Sequence, residues 1–213
     1  MTRDAVRRTK ARYDRIAPIY DRMEAVVEGL AFRRWRKRLW AHVDGGRVLE
    51  VGVGTGKNVP YYPGPARVTA VDISDRMLER ARERARTLHS DVGLALMDAE
   101  RLGFPDGMFD AAVATFVFCS VPDPVQGLKE VDRVVKPGGR VVLLEHVRVN
   151  MPIVGRLMDL LDPFVLRLIG PHINRRTAVN VEKAGLETER VDELTAGGLV
   201  KLIIARPSEK TGG

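Results

Sequence analysis

Apolar and polar positions change period repeatedly between residues 47 and 205. Arg47–Val51 is a short, largely apolar run that ends in glycines, which predicts a first strand, and Arg67–Val71 predicts a second. Ser74 then precedes Met77, Leu78, Ala81, Ala85 and Leu88 on one helical face, so a helix capped by Ser74 is expected to run to about Leu88. Val92–Met97 reads as a third strand, and Phe109–Phe116 as a fourth, apolar as a parallel strand covered on both faces should be. Pro124–Val135 turns Val125, Leu128, Val131 and Val135 inward as a helix, Pro137-Gly138-Gly139 predicts a turn, and Arg140–His146 a fifth strand. Leu186–Val191 and Leu199–Ala205 suggest a closing antiparallel pair. Strands alternating with helices give an α/β, doubly wound sheet of seven strands, mostly parallel with a final antiparallel strand. Right-handed crossovers bring the carboxyl ends of strands one and four together, the switch point where ligands bind.

The chain of 213 residues is expected to form a single domain. Residues 1–43 would be an arm, 44–147 the ligand-binding core, 148–178 an apolar insertion, and 179–213 the last strands with a frayed tail from Pro207. One cysteine rules out an intramolecular disulfide, and the charged N-terminus lacks the apolar stretch of a signal peptide, so a cytoplasmic home is expected. No run of about 18 apolar residues is present to span a bilayer. The net charge of +7 is segregated: residues 1–43 hold 12 Lys/Arg against 5 Asp/Glu, and the remainder holds 23 of each. A basic arm implies an anionic partner, either a nucleic acid or an acidic membrane.

Glu50-Val51-Gly52-Val53-Gly54-Thr55-Gly56 carries the chemistry, together with Asp72 at the end of the second strand. Glycines let backbone N–H groups approach a ligand where a Cβ would clash, and the second acid is placed to accept from ribose hydroxyls. The two describe a pocket for an adenosine-containing cofactor. A dinucleotide fingerprint fits poorly, because its last glycine position is Lys57. A P-loop fails too, with Val51 in place of its first glycine and Asn58 in place of its hydroxyl. The run acid-x-G-x-G-x-G is matched in full, although a ligand-free strand–helix turn would use the same residues.

That run resembles motif I of class I S-adenosylmethionine (SAM) methyltransferases, a Rossmann-like fold. Met97-Asp98-Ala99-Glu100 resembles their adenine-contacting turn, Phe109-Asp110 through Ser120-Val121 their motif IV, and Pro137-Gly138-Gly139 the turn before their fifth strand. The likeness covers about residues 45–147. It implies cofactor contacts from Glu50, Gly52, Gly54, Gly56, Asp72, Ile73, Asp98, Ala99 and Thr115, release of S-adenosylhomocysteine, and no metal. Cys119 is expected to be a small wall residue, and Lys57 either approaches the cofactor's carboxylate or is solvated.

Tyr13-Asp14-Arg15-Ile16-Ala17-Pro18-Ile19-Tyr20-Asp21 resembles a signature of the branch that holds ubiquinone/menaquinone C-methyltransferases and bacterial phosphatidylethanolamine N-methyltransferases. There the N-terminal segment is a lid, which implies that Tyr13 lines the cofactor pocket and Tyr20 orients the acceptor; a helix face packed on the core remains open. Glu24–Val43 reads as an amphipathic helix, with Val26, Val27, Leu30, Trp35, Leu39 and Trp40 apolar and Arg33, Arg34, Arg36, Lys37 and Arg38 basic. Tryptophans beside cations suit an anionic bilayer surface, here the inner face of the plasma membrane, although a solvated surface helix has the same pattern. The insertion Met151–Arg176 is apolar and interrupted by prolines, fit to wall an acyl groove or to cap the sheet. His172, Asn174, Arg175 and Arg176 close it with donors suited to a phosphate.

The expected reaction is stepwise methylation of phosphatidylethanolamine toward phosphatidylcholine by a monomer at the membrane. Phe118 and the 172–176 cluster would bind lipid, His146 would serve as base, and Glu145 would orient it, although strand neighbours face opposite ways. Prenyl-quinol C-methylation and thiol S-methylation share these marks. A nucleic-acid enzyme is disfavoured, because Thr115-Phe116-Val117-Phe118 stands where an adenine methyltransferase would carry its proline-rich turn.

Overall fold

The computed structural model describes residues 2–27, 30–147, 177–195 and 197–207, with side chains of residues 2, 3 and 19–30 left aside. The helices are α1 (Thr2–Val27), α2 (Leu30–Trp40), α3 (Asp75–Thr87), α4 (Pro124–Val134) and α5 (Thr177–Lys183). The strands are β1 (Gly46–Val51), β2 (Ala66–Asp72), β3 (Gly93–Leu96), β4 (Phe109–Thr115), β5 (Val135–His146), β6 (Leu186–Glu193) and β7 (Val200–Pro207). A 3-10 turn at Val59–Tyr61 follows the glycines.

The sheet runs β3-β2-β1-β4-β5-β7-β6. The first five strands are mutually parallel, and β7 runs antiparallel to both β5 and β6. β1 and β4 are therefore neighbours, and their carboxyl ends meet at the order reversal, as the alternating pattern required. Side chains alternate between two cores. Leu49, Val51, Ala112, Ala114 and Leu143 face one side, with α4 residues Leu128, Val131 and Val134. Val48, Ala70, Val113, Val142 and Leu144 face the other, with Leu78 and Ala81 of α3.

Capping fixes the helix starts. Ser74 Oγ accepts the Met77 N–H at 3.2 Å at the head of α3, and Asp123 accepts the Gln126 N–H at 3.0 Å at the head of α4. Pro137-Gly138-Gly139 does not make a separate turn. It lies inside β5 as an irregularity, with Val135 paired to Phe109 and Arg140 to Ala111, because the parallel partner β4 recaptures the chain on both sides of it.

The arm departs from the sequence reading. Leu39 and Trp40 of α2 are buried in the second core with Val43, and Trp40 packs on Tyr62 with ring centroids 4.7 Å apart. Burying each of these side chains contributes about 1.5–3 kcal/mol. They are core residues and do not dock the arm on a bilayer. The cations Arg33, Arg34, Lys37 and Arg38 stay outward and exposed. No described helix is long and apolar enough to cross a membrane. The insertion, with its expected lipid-facing wall, lies outside the described residues.

Candidate active site

A cavity of about 100 Å³ opens at the carboxyl ends of β1, β2 and β4. It is bordered by Gly52, Gly54, Asp72, Ile73, Asp98, Ala99, Thr115 and Tyr13. These eight expected cofactor residues arrive from four strand ends and one helix. A smaller cavity of about 30 Å³ adjoins it, sharing Gly52, Gly54, Thr115 and Phe116 and adding Arg36, Lys57 and Asn58.

Asp72 shapes the floor. One oxygen accepts the Gly54 N–H at 2.8 Å and the other the Ser74 N–H at 2.9 Å. Burial pushes its carboxyl above the usual range, and the Ser74, Gly54 and Ile73 amides pull it back. A carboxylate has about four acceptor sites, so these amides leave capacity facing the cavity. Gly54 has φ +54, and a Cβ built there meets nothing within 4 Å, so the backbone is bare toward open space. Asp98 accepts the Glu100 N–H at 2.9 Å, which fixes the turn that carries Ala99.

The arm roofs the cavity. The Tyr13 hydroxyl donates to Ser120 Oγ at 2.7 Å, and burial raises its pKa so that it remains a donor. Ser74 Oγ lies 2.5 Å from Asp14, Lys10 pairs with Asp75 at 2.6 Å, and Arg80 donates to the Pro18 carbonyl at 3.0 Å. Thus α1 is pinned to the start of α3, and Ala17 is buried beneath it.

Several expected site residues have other work. Glu50 lines neither cavity itself, but it holds Asn58, which borders the smaller one. It accepts from Asn58 Nδ2 at 2.7 Å and from the Tyr62 hydroxyl, while Arg36 donates to Asn58 Oδ1 at 3.0 Å. Burial raises the Glu50 carboxyl, against the Tyr62 and Asn58 hydrogen bonds and the Arg36 charge. Glu50 thus ties the glycine turn to α2. Gly56 serves packing, since a Cβ there would lie 3.1 Å from Ala81 Cα. Phe118 is a core residue, 1% exposed, and Cys119 is fully buried.

Glu145 does not orient His146. Its oxygens accept the N–H groups of Val117, Phe118 and Cys119 on the opposite face of β5. His146 stacks on Phe116 with centroids 4.2 Å apart, and burial lowers its pKa to about 4. The ring is therefore neutral near pH 7, and it stands behind Phe116 and borders neither cavity. The side chain of Tyr20, and all of His172, Asn174, Arg175 and Arg176, lie outside the described residues.

Thr9, Met77 and Val71, which the sequence does not single out for the site, also border the main cavity, as do Ser120 and Met97, which it places in motifs without a role of their own. Ser120 had a usable signal, a hydroxyl inside the apolar stretch Phe116–Val121. The others are set by tertiary placement. No group of three or more His, Cys, Asp or Glu fit for a metal exists among the described residues.

Residues 49–143 match the family model described as a methyltransferase domain. Phosphatidylethanolamine N-methyltransferase of Cereibacter sphaeroides is 46% identical over 115 residues, 52% of this chain and 57% of that one, so the chain spans little more than half of that relative. Demethylmenaquinone methyltransferase of Staphylococcus aureus strain JH9 is 33% identical over 165 residues, 74% of this chain and 68% of that enzyme. A SAM-dependent methyltransferase of Thermotoga maritima superposes with a TM-score of 0.71 at 24% identity, covering 94% of this chain and all of that one. The site fits the cofactor of these enzymes: a buried acid with spare acceptor capacity, a bare glycine cradle and an acid-anchored turn converge on one cavity. The chain belongs to the S-adenosylmethionine-dependent methyltransferases.

Proposed function

We propose that this methyltransferase acts on phosphatidylethanolamine at an anionic membrane surface, adding methyl groups toward phosphatidylcholine. The observation that carries the reading is the placement of α2. Its Arg36 borders the smaller cavity, while Arg33, Arg34 and Lys37 point outward. One helix thus joins the site to a cationic surface, and each cation near anionic lipid contributes about 1 kcal/mol. Adsorption rests on charge, since Trp40 is committed to the core. The 46% identity with a phosphatidylethanolamine N-methyltransferase supports the headgroup.

When bound, SAM supplies a methyl group already activated by its sulfonium. Asp72, Asp98 and the Gly52–Gly54 backbone hold the cofactor's polar parts, and Tyr13 closes the roof and excludes water. Phe116, backed by the stacked neutral His146 ring, offers an aromatic face to an ammonium or its methylated product, a contact worth about 0.5–2 kcal/mol. The attacking amine gives up its proton to solvent, and its lone pair would then form the N–C bond as the methyl–sulfur bond breaks and the neutral thioether leaves. The proposed phosphate contacts are Asn174, Arg175 and Arg176, with His172 beside them.

The test is incubation of the protein with labelled SAM and vesicles of phosphatidylethanolamine with an anionic lipid. Label in choline-type lipid is expected. Replacing Arg33, Arg34 and Lys37 by Glu should abolish co-sedimentation at low salt and leave affinity for S-adenosylhomocysteine unchanged. Label in a prenyl quinol or a small thiol, with none in lipid, rejects the reading. The quinol alternative draws on the demethylmenaquinone enzyme, whose match covers the larger share of this chain.

A further inference from the structure

Glu145 is a fully buried carboxyl that borders neither cavity. Its oxygens collect the Val117 and Phe118 N–H groups at 2.9 Å each and the Cys119 N–H at 3.3 Å. Three successive amides therefore converge on one side chain, and the turn after β4 closes around it. The residues that lead into this turn face the cavities. Phe116 is held at φ +57, in the left-handed region, which an aromatic residue adopts only where its surroundings impose it. It borders both cavities, stacks on His146, and meets Phe32 edge-on with centroids 5.3 Å apart. Val117 sits against the cofactor turn so closely that a Cβ on Gly52 would lie 2.4 Å from its Cγ2.

We propose that Glu145 is a positioning residue for methyl transfer: it grips the 116–119 turn so that Phe116 and Val117 form the wall that aligns donor and acceptor. The wall touches Gly52 on one side and the aromatic mouth on the other, so a shift of the turn moves both partners of an in-line displacement. A misplacement of about 1 Å by a group remote from the chemistry can slow a reaction about a hundredfold. Burial raises the Glu145 carboxyl, and the amides that oppose this are the same ones that order the turn. The inference rests on methyl transfer and not on the identity of the acceptor.

Glu145→Gln keeps the shape but places an amide NH2 against one of the three N–H groups, a donor facing a donor. The acceptor in the assay is whichever of lipid amine, quinol or thiol the wild type turns over. We expect kcat to fall about 10- to 100-fold, with the Kd for S-adenosylhomocysteine by calorimetry within about threefold. Amide exchange at Val117, Phe118 and Cys119 should quicken at least about tenfold. Phe116→Gly is the companion variant, because glycine adopts this φ freely and only the ring is lost. It should lose kcat to a similar degree, with a lower Tm because the contacts with His146 and Phe32 go and relief of the left-handed backbone offsets them only in part, and it keeps the proposal open to refutation if Glu145→Gln does not fold. Full kcat in either variant overturns the proposal, as does a kcat loss matched by an equal rise in that Kd. Failure of the lipid reading would show in the wild type's choice of acceptor and leaves these variant-to-wild-type ratios intact.

Discussion

Gly54→Ala isolates the cofactor cradle from the stability of the turn that forms it. Gly54 has φ +54, and its added Cβ would meet nothing within 4 Å, so the substitution carries no steric clash with the protein. The left-handed backbone costs alanine about 1–2 kcal/mol, of which the stiffer unfolded chain returns about 0.4–1 kcal/mol. The net loss is about 1 kcal/mol, or about 2–4 °C in Tm for a chain of this size. The methyl group, however, projects beside a backbone N–H that serves Asp72 at 2.8 Å, in space the cofactor needs. Affinity for S-adenosylhomocysteine should drop at least about tenfold, or about 1.4 kcal/mol. Gly56→Ala is the control: its Cβ would press on Ala81 Cα at 3.1 Å, away from the cavity. Overpacking of about 1–3 kcal/mol should lower Tm further while affinity stays within about threefold. Calorimetry and thermal unfolding of the two variants side by side make the comparison. Wild-type affinity in Gly54→Ala, or lost affinity with unchanged Tm in Gly56→Ala, would refute the division of labour.

Tyr13→Phe deletes the hydroxyl that donates to Ser120 Oγ and so loosens the roof. At about 1 kcal/mol for the bond, S-adenosylhomocysteine should dissociate about fivefold faster in stopped-flow, and an unchanged rate counts against a closed roof. Glu145→Gln should also change the pH dependence of stability. Burial raises this carboxyl from 4.5 to about 7, so the folded state holds a proton that the unfolded chain releases. Its contribution is complete below about pH 4.5 and is lost as pH rises through about 7. Denaturant titrations should therefore show the wild type losing up to about 3 kcal/mol relative to the variant across that window. Glu50 and Asp72, also raised, shift in the same direction but are common to both proteins. A constant difference between the two proteins across the window would contradict the linkage.

The strands were legible because they are apolar runs in a chain with strong punctuation. The cofactor floor was legible because an acid, three glycines and a second acid keep fixed spacing across β1 and β2. What could not be read was which way a side chain turns once a neighbour covers it. Glu50 looks like a ligand group in the one-dimensional string, yet period two sets it with Val48, toward Asn58 and Tyr62. Phe118 and Phe116 stand two residues apart in the same apolar stretch. The amides gathered by Glu145 send one into the core and the other to the cavities, a choice made by a residue 27 positions from Phe118. The pattern of α2 marks Leu39 and Trp40 as apolar but not whether that face meets lipid or protein; the sheet it packs on decides for the core. Proline and two glycines read as a break, whereas β4 pairs with the chain on both sides of them.

The arm's two helices have unequal claims on the molecule. α1 is joined by polar clasps at Lys10, Asp14, Tyr13 and Arg80, whereas α2 lends Leu39 and Trp40 to the interior. Clipping the chain between them should therefore leave a folded but unroofed enzyme. Starting it at residue 44 should bare the part of that sheet face which α2 covers and yield a product that precipitates.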